Sequence, residues 1–310
     1  MFWIIIGTAI VFSCAALGTI AFWGASQLIY PPEPDPEGSP SDYGLPYLEV
    51  VFPSRDRLRL HGWFIPSERS PLPPLADDDW SGDSKGTVIF CHGRFGSKDP
   101  DLKYAPFFRE AGYNTFLFDF RGHGRSEGEY SSFGYYERLD LLGAIDLLQS
   151  KGISRFGVLG FSLGGVVGIA TAAQSEAIMA VISDGGFAEV RKVVEAGSRK
   201  KGFPTLLAAL IVPLMLWMAG RRLGCDLSEA DSLRWVDKIT PRALLLIHGA
   251  EDPYISVEDV RRLYEAAGEP KELWIVSEAG HRQVDEVRPA EYRRRVLGFF
   301  DRYLASEGTS

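Results

Sequence analysis

The pentapeptide Gly160-Phe161-Ser162-Leu163-Gly164 carries the strongest chemical signal in the chain. It joins an apolar run at 155–159 to a small-residue segment that opens with Gly164-Gly165. A serine hydroxyl is a weak nucleophile and needs an exposed position beside a base. A tight strand-to-helix turn supplies that exposure, and glycine on either side removes the Cβ clashes the turn would create. Two later apolar runs end in the remaining groups that acyl transfer requires. Residues 244–247 lead into His248-Gly249-Ala250-Glu251-Asp252, and 272–276 lead towards Gly280-His281. An imidazole takes the serine proton, while a carboxylate orients it and stabilises its charged form. Ser162 is therefore the expected nucleophile, His281 the base and Asp252 the acid, with Glu251 or Asp184 as alternative acids.

A tetrahedral intermediate also needs N–H donors aimed at its oxyanion. The Leu163 N–H, at a helix start, is one expected donor. The second is expected from the loop His92-Gly93-Arg94-Phe95-Gly96, with Arg94 first and Phe95 as its alternative. His92 is expected to brace that loop. His123 is read as structural in its turn or as lining the pocket mouth, and His248 and His61 as satisfied core or edge residues.

These groups need a scaffold, and the patterning describes one. Apolar or alternating runs predict strands at 48–52, 58–65, 87–91, 114–120, 155–160, 180–184, 243–247 and 272–276. Helical spacing predicts helices near 103–111, 135–149, 163–173, 257–267 and 289–304. Strands alternating with such helices require right-handed crossovers, hence an α/β fold with a mostly parallel sheet covered on both faces. Residues 187–238 contain no strand and are too long for an ordinary connection, so they read as a helical cap. Inside it, 203–219 is almost wholly apolar, interrupted by Pro204 and Pro213 and bracketed by Arg199-Lys200-Lys201 and Arg221-Arg222. That segment is expected to cover the pocket, either as a cap alone or as a cap that also touches a membrane surface.

The chain has 310 residues, 45% of them hydrophobic and 24% charged, which is globular composition. Its net charge of −8 argues against nucleic acid as a partner. The 3 cysteines are far apart, and no spacing suggests a disulfide framework or a metal site. From Phe2 to Pro32 no side chain is charged. A helix over 3–23 would be roughly 30 Å long, enough to cross a bilayer core. Trp3, Trp23 and Tyr30 stand near its ends, where amphipathic rings favour the interface. The alternative is a cleaved signal peptide, with Gly24-Ala25-Ser26 as the cleavage site; no basic residue precedes the run, and the run is long for that purpose. Residues 31–46 read as a stiff extended linker, and the remainder of the chain is expected outside the cytoplasm.

His92-Gly93, Asp119-Phe-Arg-Gly-His-Gly-Arg-Ser126, Gly160-Phe-Ser-Leu-Gly-Gly165, His248-Gly-Ala-Glu-Asp252 and Ala279-Gly-His281 together resemble the α/β-hydrolase superfamily. They are most similar to its Bem46-like and serine-aminopeptidase-type branch, some of whose members are membrane-anchored. The likeness covers residues 45–305 and implies an eight-stranded α/β-hydrolase domain over 47–305, after the apolar segment 1–30 read above as an anchor or signal peptide. It implies hydrolysis of an ester, thioester or amide by Ser162, Asp252 and His281 without a cofactor. One departure is Arg94-Phe95, where many relatives carry Asn and a small residue. The apolar cap and the anchor favour a carboxylic ester, lipid-like acyl substrates included. A peptidase or amidase, or a non-catalytic binding scaffold, are the other expectations.

Overall fold

A computed structural model describes residues 1–30, 38–70, 79–94 and 96–305. The apolar runs become β1 (Leu48–Pro53), β2 (Arg59–Ile65), β3 (Thr87–Cys91), β4 (Asn114–Phe118), β5 (Phe156–Phe161), β6 (Ile178–Asp184), β7 (Ala243–Gly249) and β8 (Lys271–Val276). They form one sheet in the order β1-β2-β4-β3-β5-β6-β7-β8. β2 runs antiparallel to β1 and β4, and the other pairings are parallel. Every residue of β3, β4, β5 and β7 is buried, which is why these strands read as continuous apolar runs rather than alternating ones.

The helices are α1 (Phe2–Ile29), α2 (Ala105–Glu110), α3 (Glu137–Ser150), α4 (Leu163–Ala172), α5 (Val190–Lys200), α6 (Thr205–Leu223), α7 (Val257–Ala266), α8 (Val284–Val287) and α9 (Pro289–Tyr303). α3, α4 and α7 cover one face of the sheet, through residues such as Leu141, Val166 and Leu263. α2 and α9 cover the other, through Phe108, Tyr292 and Phe300. α4 is buried at all its positions, and only small residues let it lie so close to the strands. A Cβ on Gly164 would collide with the Cys91 carbonyl of β3. That contact fixes where the helix can start.

Between β6 and β7 the cap consists of α5, α6 and short 3-10 turns. α6 runs through Pro213 as one helix. It buries Ala208, Ile211, Val212, Met215 and Ala219, and leaves Leu206, Leu210 and Trp217 outward. α1 is longer than its expected apolar span. Its first half exposes Phe2, Trp3, Val11 and Phe12, while Ala21, Ala25 and Ile29 are buried against the domain.

Part of the linker also differs from expectation. Its residues 31–37 lie outside the described residues, but Pro40–Tyr43 forms a 3-10 turn. The Asp42 carboxylate accepts the Ser39 N–H at 2.8 Å, and Asp99 accepts the Gly38 N–H at 2.9 Å. Side-chain capping of this kind turns a stretch rich in Ser and Asp back onto the domain. The polar loop at 70–85 likewise falls partly, at 71–78, outside the described residues.

The turn Asp119–Ser126 is held by buried charge. Arg121 donates to Asp140 at 2.7 and 3.0 Å and to Asp56 at 2.6 and 2.8 Å. Lys98 pairs with Asp119 at 2.6 Å, and both side chains are almost fully covered. Without Asp140, the buried Arg121 guanidinium would lose its hydrogen bonds to that carboxylate and keep only the partly exposed Asp56 as counter-charge. Asp140→Ala is therefore expected to destabilise the fold by roughly 3 kcal/mol or more, read as a lower midpoint in chemical denaturation.

Candidate active site

β5 ends at Phe161, and α4 begins at Leu163. Ser162 makes the turn between them with φ 51 and ψ −110, a conformation that residues with a Cβ rarely adopt. Its N–H donates to the Asp184 carbonyl at 2.8 Å, so the end of β6 holds the bend. Strain of this kind persists only where the surroundings over-determine it. Here β3, β6 and the close-packed α4 do so.

The loops after β7 and β8 bring the other two groups to this point. His281 Nε2 lies 3.1 Å from Ser162 Oγ, and His281 Nδ1 lies 2.6 Å from Asp252 Oδ2. The other carboxylate oxygen of Asp252 accepts the N–H groups of Tyr254 and Ile255 at 2.8 and 3.1 Å. Those bonds fix the plane of the carboxylate. Tyr254 packs edge-on to the His281 ring at 5.5 Å. Of the alternative acids, Glu251 is exposed. Asp184 is buried and accepts the Tyr292 hydroxyl at 2.9 Å, and its carboxyl makes no hydrogen bond to His281. Burial pushes the Asp184 carboxyl up to about 6, against the lowering pull of Arg282 and Tyr292.

The loop after β3 lies directly beside Ser162. A Cβ placed on Gly93 would stand 3.6 Å from Ser162 Cβ. His92 Nε2 accepts the Phe120 N–H at 2.9 Å, so the ring proton resides on Nδ1, which donates to the Gly93 carbonyl at 2.6 Å. Burial holds this imidazole well below its ordinary pKa and so neutral. Because carbonyl and N–H of a trans peptide point oppositely, drawing the Gly93 carbonyl towards His92 turns the Arg94 N–H the other way. His123 lies 2.9 Å from the Arg121 carbonyl and 2.8 Å from that of Arg94, tying this loop to the charged turn after β4. Leu163 opens α4, so its N–H is one of the donors that lack an acceptor within the helix. Phe95 lies outside the described residues.

Behind the site stands a cluster that the sequence did not announce. Arg282 follows His281 at φ 57 and turns inward to donate to Asp101, with its guanidinium over the Phe161 ring at 4.4 Å. Asp101, Asp184 and Tyr292 are buried around it. The only hint in the sequence was the position of Arg282 next to His281. Elsewhere one expectation needs correction. His248 is wholly buried, but among the described residues neither ring nitrogen has a hydrogen-bond partner, and the same is true of His61 Nδ1. His248 sits at the end of β7, where burial lowers its pKa against the raising pull of Asp252 and the Ile255 backbone.

Above Ser162 and His281 opens a cavity of about 740 Å³. Its walls come from α1, α5, α6 and the loops carrying Phe133, Phe187 and Tyr254, and they are mainly apolar. Lys200 and Lys201 stand among the lining residues, and none of the described lining residues is Asp or Glu.

A family model described as alpha/beta hydrolase fold matches residues 86–207. The Bacillus subtilis (strain 168) protein YqkD is 32% identical over 227 residues, covering 71% of this chain and 72% of that one. Protein bem46 of Schizosaccharomyces pombe is 27% identical over 178 residues, 54% of this chain and 55% of its own. Among solved structures, the Pyrococcus furiosus esterase Pf2001 superposes with a TM-score of 0.70 at 27% identity, over 88% of this chain and 99% of that one. Sheet order, strand-to-helix serine turn and these relatives agree: the chain belongs to the α/β-hydrolase superfamily and is a hydrolase.

Proposed function

We propose that this hydrolase is a membrane-associated serine esterase that cleaves carboxylic esters with long apolar acyl groups. The observation that carries the reading is the unbroken chain Asp252–His281–Ser162 on the floor of an apolar cavity. Ser162 Oγ attacks the ester carbonyl while its proton passes to His281 Nε2. Asp252 keeps the other proton on Nδ1 and stabilises the imidazolium that forms. The N–H groups of Leu163 and Arg94 receive the oxyanion. Collapse of the intermediate returns the proton from His281 to the departing alkoxide and leaves an acyl-serine. Water, deprotonated by His281, then attacks that acyl group, and Ser162 leaves as the free hydroxyl.

Esterase Pf2001 supports the ester over the amide. A fold likeness to the acylaminoacyl peptidase of Pyrococcus horikoshii, with a TM-score of 0.57 at 19% identity, concerns the fold alone. An aminopeptidase would need an anion to hold the substrate's ammonium group, and the lining offers cations instead. For the membrane, α1 has a window of mean hydropathy 2.2. With its last turns docked from Ile20 onward, residues 2–19 of α1 remain, about 27 Å of helix, close to the thickness of a bilayer core.

Ser162→Ala should lower kcat on the order of 10³-fold or more with the fold intact, and abolish labelling by a fluorophosphonate probe. Labelling that persists in the variant would refute the assignment of the nucleophile; a parent chain that never labels would favour a binding scaffold. Asp252→Asn should lower kcat by about 10²–10⁴-fold through the wrong His281 tautomer, whereas Asp184→Asn should retain most of it.

Asp184 makes a separate prediction for stability. A carboxyl whose pKa is raised in the folded state binds its proton more tightly there, so it stabilises at low pH. That contribution is lost as pH rises from about 4, the unfolded value, through about 6. Asp184→Asn should therefore gain stability relative to the parent across that window, in thermal melts taken at successive pH values.

A further inference from the structure

The cavity above Ser162 is not closed by the hydrolase domain and its cap alone. Ile20, Trp23, Gly24, Gln27, Leu28 and Tyr30 of the N-terminal segment form part of its wall, facing Val194, Ile211 and Met215 of the cap. We propose that the last turns of α1 are the specificity wall of the acyl site, so that the segment that anchors the chain also measures the fatty acyl chain it cleaves. The proposal rests on the esterase reading of Ser162 and adds to it the residues that select acyl-chain length.

The end of α1 is built for docking. A helix leaves its last four carbonyls without internal partners. Here Tyr30 N–H donates to the Ser26 carbonyl at 3.0 Å, as a local cap. The other three are taken by the catalytic domain. Arg94 donates to the carbonyls of Gln27, at 3.0 Å, and Leu28. Ser131 N–H donates to the Ile29 carbonyl at 2.7 Å. A guanidinium at a helix C-terminus also meets the negative end of the helix dipole. Burial pulls the Arg94 pKa down to about 10, which leaves it charged at neutral pH.

The side of the helix is fitted as closely as its end. Ala21 and Ala25 are fully buried, and a Cβ on Gly24 would stand 2.6 Å from Met215 Cε. Arg222 of α6 donates to Ser26 Oγ at 2.7 Å and covers the Phe22 ring at 3.9 Å. These contacts place the helix where removing it would open one side of the cavity to the surroundings. Cleavage at Gly24-Ala25-Ser26 would detach Ile20 and Trp23 from that wall, so the proposal requires α1 to be retained.

Arg94 joins this wall to the chemistry. Its side chain caps α1, its carbonyl lies 2.8 Å from His123 Nε2, and its own N–H is the proposed oxyanion donor. A chain held against α1 and a carbonyl held beside Ser162 are thereby positioned by one residue.

The test uses the full-length chain in nanodiscs and the ratio of kcat/KM for p-nitrophenyl palmitate to that for p-nitrophenyl butyrate. Leu28→Trp, which fills the cavity, should lower the ratio tenfold or more. Leu28→Ala, which enlarges it, should raise the ratio or shift the best acyl chain to greater length. Phe12→Ala, on the outward half of α1 and away from the cavity, should leave the ratio within twofold of the parent. Fluorophosphonate labelling of Ser162 is measured in each variant. Ratios unchanged in both Leu28 variants that still label would overturn the proposal, as would an equal shift in Phe12→Ala. A parent chain that labels but cleaves neither ester would overturn the esterase reading instead.

Discussion

The structure turns on a place where backbone must pass backbone. At the junction of β3, β5 and α4, the helix begins against the carbonyl at the end of β3, with no room for a side chain at Gly164. The same crowding forces Ser162 into its unusual conformation and lifts its hydroxyl out of the packed layer. Everything else near the site is arranged around that fixed point. β6 supplies a carbonyl to hold the bend, β3 delivers the Gly93 loop alongside, and the loops after β7 and β8 bring Asp252 and His281 within hydrogen-bond distance. A scaffold of buried parallel strands suits this task, since its strand ends cannot shift independently.

Buried charge supports the loops that the sheet does not. Arg121 with Asp140, Lys98 with Asp119 and Arg282 with Asp101 each lie at the root of a loop that reaches the cavity. Such pairs gain little over apolar packing in net stability, because desolvation offsets their attraction. Their geometry is specific, however. The fork of Arg121 spans α3 and the turn after β1, and the inward course of Arg282 sets the loop that carries His281.

Much of this was legible in the chain itself. The buried strands announce themselves as continuous apolar runs, and Gly160–Gly165 is readable because its glycines answer a steric demand that local sequence alone poses. The order of Ser162, Asp252 and His281 follows from strand ends. The Arg282–Asp101 pair was not legible, since 181 residues separate its members and nothing in either neighbourhood signals the other. Nor was the docking of α1: Ala21, Gly24 and Ala25 suit a membrane helix and a helix–helix contact equally well. Continuation of α6 through Pro213 depends on tertiary packing of its buried face, which local propensity does not weigh.

The capped end of α1 has a consequence for the order of assembly. Its partners Arg94, Ser131 and Arg222 come later in the chain, with Arg222 standing 196 residues beyond Ser26. Contacts of such sequence separation cost more loop-closure entropy than local ones. The helix is synthesised before the residues that seat it. Until they are in place, the cavity above Ser162 lacks one of its sides.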